Sequence, residues 1–268
     1  MTNRITRLET HQMTFNLTRN IFIIAISIIG LLTLFFGISL WWLALPSAVY
    51  LALIIYGSAI IQANFYGSVY CYGESLEKEI ALSFDDGPNR EFTPQVLSTL
   101  AQYNAPATFF VIGKNIQGNE SILKQIDAAG HSIGNHSYTH SFFVDFKSVQ
   151  GFKNEINQTA EIAFKVIGKR LKLFRPPYGV TSPPLVKASK LLNYSTIGWS
   201  IRSLDTTADT AQVITQRVQA QIKPGAIILF HDTSDKTIQV LKETLNFAKE
   251  NGYKIVSVEQ LLKIKAYE

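Results

Sequence analysis

The sequence contains only one cysteine, Cys71, and no run of basic residues. A single cysteine excludes an intramolecular disulfide and says little about the redox compartment. We interpret Cys71 as an unreactive thiol. The net charge of +5 is spread along the chain without basic clusters. This pattern indicates solvated surface and not a nucleic-acid-binding site.

Charge is also missing from one long stretch, because no charged residue occurs between Asn20 and Gly73. A membrane-spanning helix needs about 20 apolar residues, and residues 21–63 are long enough for two. We predict one span at residues 21–40 and a shorter one at residues 47–63. Trp41 and Trp42 suit the membrane interface between them, and Pro46 suits the first turn of the second helix.

Two other interpretations of this stretch are less consistent with its length. A cleaved signal peptide has an apolar core of about 7–15 residues and a small-residue cleavage site, whereas this stretch is longer and has no such site. A soluble domain rarely buries so long a segment without a charge. We therefore predict a multi-pass protein of the cell (inner) membrane, with a tail at residues 1–20, two transmembrane helices at 21–63, a linker at 64–78 and a soluble domain at 79–268.

The soluble part alternates short apolar runs with segments of helical spacing. Such alternation predicts a parallel sheet with helices outside. Its number of strand–helix units favours a closed or nearly closed barrel, whose active site lies at the carboxyl ends of the strands. The predicted fold is a distorted (β/α) barrel of about seven strands, preceded by an N-terminal transmembrane helical hairpin.

Polar residues follow five of the predicted strands. An isolated polar residue there usually caps a helix or completes a turn, but five such groups indicate a site. They are Asp85 with Asp86, His136 with His140, Arg175 with Tyr178, Asp205, and His231.

His136 and His140 have a spacing that would place both imidazoles on one face of a helical turn, as metal chelation requires. The spacing alone is a weak signal, because two surface histidines would show it too. Asp85 and Asp86 stand on a tight Asp-Asp-Gly-Pro loop, which without the histidines would be a plain turn. One carboxylate can complete an open catalytic zinc site while the other accepts a proton from the attacking water.

These residues, in this order, resemble the polysaccharide deacetylase family (the NodB homology domain, carbohydrate esterase family 4). The resemblance covers about residues 79–258. It is carried by five motifs: Ser83-Phe84-Asp85-Asp86-Gly87-Pro88, His136-Ser137-Tyr138-Thr139-His140, Arg175-Pro176-Pro177-Tyr178-Gly179, the stretch from Trp199 to Asp205, and Leu229-Phe230-His231.

The resemblance implies a role for each motif residue. Asp86, His136 and His140 would hold a divalent metal, usually zinc in this family. Asp85 would be the general base, oriented by Arg175, and the backbone N–H of Tyr178 would help to stabilise the oxyanion. His231 would protonate the leaving amine, with Asp205 holding its imidazole.

The fourth motif departs from the family pattern. Many members have an aspartate where Arg202 stands and a tryptophan where Thr206 stands, which bears on the tuning of His231 and on the sugar subsite. Asp232, next to His231, is a candidate contributor to this tuning, but we favour its interpretation as a helix cap.

Three functions are consistent with these observations. The first is a metal-dependent carbohydrate N-deacetylase acting on amino-sugar units of a polysaccharide, peptidoglycan or chitin-like glycan. The second is a deformylase or deacetylase of a lipid-linked amino sugar at the membrane. The third is a non-catalytic glycan-binding module, against which the intact base, ligands and acid argue. The expected partners are the glycan and the membrane, with no nucleic acid and no obligate protein partner.

The charges beside the hairpin predict its orientation. The tail carries Arg4, Arg7 and Arg19 against Glu9, and such a basic excess usually stays in the cytoplasm. A hairpin returns the chain to its starting side, so the charge rule favours a cytoplasmic domain. An assembled cell-wall glycan would instead require an external domain.

Overall fold

The computed structural model describes residues 2–74, 77–143 and 147–268, with the backbone alone for residues 2–13. Two apolar helices come first: α1 is Thr2–Phe36 and α2 is Ala44–Ala59, joined through a 3-10 turn at Leu40–Leu43. Segments Thr14–Phe36 and Leu40–Ala59 are 23 and 20 residues long, with mean hydropathies of 2.1 and 1.7. In their apolar stretches, 0% and 6% of the residues are buried in the protein. By length and composition they are candidate membrane spans. The first helix begins in the predicted tail.

The rest of the described chain alternates strands with helices, as its apolar periodicity predicted. The strands are β1 Glu79–Asp85, β2 Thr108–Val111, β3 Ser132–Asn135, β4 Leu173–Phe174, β5 Ser195–Thr196, β6 Ile201–Arg202, β7 Ile227–His231 and β8 Lys254–Val256. The helices are α3 Phe92–Gln102, α4 Gly113–Ile116, α5 Glu120–Ala128, α6 Val149–Ile167, α7 Pro183–Leu191, α8 Ala211–Gln219, α9 Asp235–Glu250 and α10 Val258–Leu262.

The strands form one parallel sheet in the order β5-β4-β3-β2-β1-β7-β6. Short β8 pairs with the beginning of β1, outside this path of seven. The sheet curls into a half-barrel, so the parallel α/β prediction is confirmed and full closure is not reached. The chain from 195 to 202 contributes two short strands to different parts of the sheet, because β5 pairs with β4 and β6 pairs with β7.

Alternation along β1 places its side chains in two of the three buried clusters of the described core. In β1, Ile80, Leu82 and Phe84 belong to the larger cluster, which includes residues of the surrounding helices. Ala81 belongs to the second cluster, together with Leu229. Since successive side chains point to opposite faces of a strand, Asp85 shares the face of Ala81, the concave face of the curl.

The chain between α2 and β1 packs into this concave cluster. Ile61, Val69 and Cys71 are buried there, and burial raises the pKa of Cys71 to about 12, which keeps the thiol unreactive. The end of α2 is also attached, because Thr181 donates from its N–H to the Ser58 carbonyl and from its hydroxyl to the Gly57 carbonyl, both at 3.1 Å. The described part of the predicted linker, 64–78, thus adjoins the core. The domain boundaries themselves stay a prediction.

Candidate active site

Asp85 and Arg175 form a buried ion pair at the carboxyl edge of the sheet. Arg175 is 0% exposed, and its Nη1 donates to Asp85 Oδ1 at 2.8 Å and to Ser83 Oγ at 2.9 Å. Its Nη2 donates to the Gly198 carbonyl at 2.8 Å. Burial raises the pKa of Asp85, although the charge of Arg175 opposes the rise. Only one oxygen of Asp85 is used by Arg175, so the other can face a reactant.

Asp86, His136 and His140 form a cluster beside this pair. Asp86 Oδ1 lies 3.6 Å from His136 Nε2 and 3.5 Å from His140 Nε2, and the three ligand atoms all lie within 4.8 Å of one another. Ligands around a tetrahedral zinc lie about 3.4 Å apart. Asp86 Oδ1 is also buried without a hydrogen-bond partner, which is costly for a carboxylate unless a cation is bound. These residues fit a divalent metal.

The protonation of His136 favours the same interpretation. Its Nδ1 lies 2.9 Å from the Arg175 carbonyl, and a carbonyl can only accept, so Nδ1 carries the hydrogen. Burial lowers the pKa of His136 to about 3. The ring is therefore neutral, with the lone pair of Nε2 directed at Asp86. A carbonyl partner on the far nitrogen is the usual way in which a metal-ligating histidine is oriented.

The histidine motif is not a helical turn, and that part of the sequence interpretation was wrong. Residues 136–141 are irregular, and Ser137 and His140 have φ values of 65° and 46°. A left-handed residue at each of these positions bends the chain so that both rings still meet, with centroids 4.9 Å apart. The spacing correctly indicated that the two imidazoles lie together, although the helical turn inferred from it was wrong.

His231 and Asp205 form a second polar pair on the opposite side of Asp85. The register of β1 and β7 places His231 opposite Asp85, and His231 Nδ1 lies 2.8 Å from Asp205 Oδ1. Asp205 also accepts from Ser203 Oγ at 2.9 Å and Thr237 Oγ1 at 2.7 Å. Burial lowers the pKa of His231, but the hydrogen bond and charge of Asp205 outweigh it and raise the pKa to about 9. The imidazole is protonated at neutral pH.

Asp232 does not cap a helix, which corrects the sequence interpretation. The N-cap of α9 is Ser234, whereas Asp232 is 0% exposed and accepts from Thr93 Oγ1. A Cβ on Gly87 would lie 2.4 Å from Asp232 Oδ2. The carboxyl therefore lies directly beneath the Asp-Asp-Gly-Pro loop, a position that only the tertiary fold reveals.

The third and fourth motifs complete the edge of the site. Tyr178 has a φ of 57°, its ring lies 4.5 Å from that of His140, and its hydroxyl donates to the His140 carbonyl at 3.3 Å. Arg202 lies over the ring of Trp199 at 5.7 Å, and Thr206 is exposed. Asp205 accepts hydrogen bonds from His231, Ser203 and Thr237, so its pair with His231 is built without Arg202 and Thr206.

No sequence motif pointed to Glu155, which is buried beneath the histidine motif. The buried positions of α6 are Phe152, Glu155, Ile156, Thr159 and Ala163. A glutamate on the apolar stripe of an amphipathic helix is the sequence signal that could have identified it.

Fold and site together define a hydrolase, with a histidine–carboxylate cluster, a buried carboxylate beside it and a histidine–aspartate pair at one edge of a parallel sheet. The family model described as "Polysaccharide deacetylase" matches residues 72–197. A peptidoglycan-N-acetylglucosamine deacetylase of Bacillus cereus is 37% identical over 194 residues, which are 70% of this chain and 90% of the relative. The chain belongs to the polysaccharide deacetylase family and is a carbohydrate N-deacetylase by class.

Solved structures agree with this assignment. A peptidoglycan N-acetylglucosamine deacetylase in complex with an N-oxidanyl-benzamide superposes with a TM-score of 0.71 and 32% identity, over 75% of this chain and 95% of that one. A carbohydrate esterase family 4 pseudoenzyme from Bacillus anthracis superposes with a TM-score of 0.68 and 28% identity, over 72% and 68% of the two chains. The fold is therefore shared with a protein named as a deacetylase and with one described as a pseudoenzyme.

Proposed function

We propose that this enzyme removes acetyl groups from N-acetylated amino-sugar units of peptidoglycan, with a zinc ion held by Asp86, His136 and His140. The observation that carries the proposal is the unpaired, buried Asp86 Oδ1 between two imidazole nitrogens, beside a carboxylate already oriented by Arg175. The names of the relatives support peptidoglycan over a lipid-linked amino sugar. Imidazole with carboxylate is a ligand set that suits zinc.

Asp85 is the general base in this proposal. Arg175 occupies Oδ1, and Oδ2 lies 3.6 Å from His136 Nε2, so the free oxygen faces the place where a water would bind. When bound, the metal polarises the acyl carbonyl and lowers the pKa of a water molecule. Asp85 accepts the proton of that water, and its raised pKa makes it a better base than an exposed aspartate.

Two further groups act on the substrate amide. The backbone N–H of Tyr178, on a left-handed residue next to His140, donates to the developing oxyanion. His231 lies on the other side of Asp85 and carries a proton at neutral pH because its pKa is about 9. It delivers this proton to the nitrogen of the departing amino sugar, and Asp205 holds the ring in place.

His231→Ala is expected to slow amide hydrolysis by about 10²–10⁴-fold and to slow an activated phenyl ester much less. An amine must be protonated to leave, whereas a phenoxide leaves without help. Release of acetate from N-acetylated peptidoglycan and of phenoxide from the ester would be compared for the same preparation. Val213→Ala, an exposed change in α8, is the control. Equal losses on both substrates would make His231 a binding residue instead of an acid.

We further propose that α1 and α2 anchor the enzyme in the cell membrane as a hairpin. Outward-facing apolar side chains support this: Phe35, Phe36 and Trp41 are 73%, 76% and 85% exposed. Exposing so large an apolar surface to water is unfavourable, and a bilayer would cover it.

The hairpin predicts that the N-terminus and the catalytic domain lie on the same side of the membrane. Alkaline phosphatase and green fluorescent protein would each be fused before residue 1 and after Ala63. Both junctions should give the same reporter result, on the cytoplasmic side if the charge rule holds and on the outer side if the enzyme acts on assembled peptidoglycan. A cytoplasmic result restricts the substrate to wall precursors, and a periplasmic or external one admits the assembled wall. Opposite results at the two junctions would mean a single span.

A further inference from the structure

The turn that carries both metal-binding histidines lacks regular secondary structure. Residues 136–141 are neither helix nor strand, and the turn contains two left-handed residues, Ser137 and His140. Such residues are unfavourable unless neighbouring groups hold them. Something other than the local backbone must therefore fix the position of His140 relative to Asp86.

Glu155 contacts this turn from below. Its Oε2 accepts from the backbone N–H groups of Tyr138 at 2.9 Å and Thr139 at 2.8 Å. Its Oε1 accepts from Thr139 Oγ1 at 2.9 Å and from Lys147 Nζ at 2.6 Å. The carboxylate thus satisfies two successive N–H groups of the turn, in the way that an anion is held by consecutive backbone amides.

The other side of the turn is held by backbone groups. The N–H groups of Gly113 and Lys114 donate to the carbonyls of Ser137 and Tyr138, at 2.9 and 3.1 Å. A Cβ on Gly113 would lie 2.7 Å from Tyr138 Cδ2, so there is no room for the turn to shift toward α4. The N–H groups of the turn face Glu155 while two of its carbonyls face α4.

We infer that Glu155 is a positioning residue for the metal site, which holds the His136–His140 turn in the conformation that brings His140 Nε2 to Asp86. The inference rests on the proposed role of the cluster. Glu155 belongs to α6 and bonds to Tyr138, Thr139 and Lys147, not to either histidine ring, so it acts through the turn. Buried at 4% exposure, its carboxylate is costly to remove, because the two N–H groups would lose their acceptor.

The test is the zinc affinity of the full chain, measured by competition with a chromophoric chelator. Glu155→Gln keeps the shape but replaces one acceptor oxygen by a donor NH₂ group and removes the charge facing Lys147. We expect zinc affinity to fall about 10–100-fold, the usual effect of losing a group that orients a ligand. Turnover at saturating zinc should fall by a smaller factor. Glu161→Gln, an exposed change in the same helix, should leave zinc affinity unchanged.

Two milder variants keep the inference testable if Glu155→Gln does not fold. Thr139→Val removes one hydrogen bond to Oε1, and Lys147→Gln removes the charge beside it, while both leave the backbone contacts of the carboxylate in place. Each should weaken zinc binding by less than Glu155→Gln does. Native zinc affinity in a folded Glu155→Gln protein, or in both milder variants if it does not fold, overturns the inference. A wild-type chain that binds no divalent metal would instead refute the proposed function.

Discussion

Asp85→Asn is expected to bind zinc as the wild type does and to lose about 10²–10⁴-fold in turnover. The amide has the shape of the carboxylate, and its oxygen can still accept from Arg175, which now donates to Asp85 at 2.8 Å. It cannot accept a proton from water. The loss should therefore fall on turnover, with little change in zinc affinity, because Asp86 and the two histidines are unaltered.

The measurement pairs zinc content with acetate release from the same preparations. Asp127→Asn is the control, because Asp127 belongs to α5 and pairs with Lys169, away from the site. Melting temperatures are needed too, since the change leaves the buried guanidinium of Arg175 without a charged partner and should lower stability. Near-native turnover in Asp85→Asn would mean that another group takes the proton.

The position of the site could be predicted from the sequence because it follows from strand order. Asp85, Arg175 and His231 each come at or directly after the end of an apolar run, and parallel strands end at the same edge of a sheet. The register then brings Asp85 opposite His231. The family could be predicted from the motifs alone, and the parallel sheet from the alternation of strands and helices.

The features that the sequence did not predict depend on contacts between distant residues. The conformation of the histidine turn depends on Glu155, which lies 16 and 17 residues from its two N–H donors. Asp232 was interpreted as a helix cap because the contact with Thr93, 139 residues away, is invisible in local sequence. Similarly, residues 61–71 look like the end of a membrane helix and a linker, although Ile61 and Cys71 fill the concave side of the sheet.

His136→Ala and His140→Ala are each expected to lose zinc and activity together, and the double variant should retain no site-bound metal. A catalytic zinc is held by three protein ligands, so removing one imidazole leaves two. The two substitutions should differ in their effect on the stability of the fold. His136 is 2% exposed, so its loss also opens a cavity. His140 is nearer the surface, and its variant should stay close to wild-type stability.

His131→Ala separates loss of metal from loss of a buried histidine. His131 is 7% exposed, and its Nδ1 accepts from the N–H of Ala107 at 3.2 Å. Both residues directly precede parallel strands, β3 and β2, at the edge of the sheet opposite to Asp86. This variant should be destabilised but should keep one zinc per chain, whereas the histidine-turn variants should lose it. The variants are compared by metal content, measured by mass spectrometry, and by acetate release. Full zinc occupancy in the His136→Ala, His140→Ala double variant would remove the cluster as the metal site, and with it the assignment of Asp85 as the base.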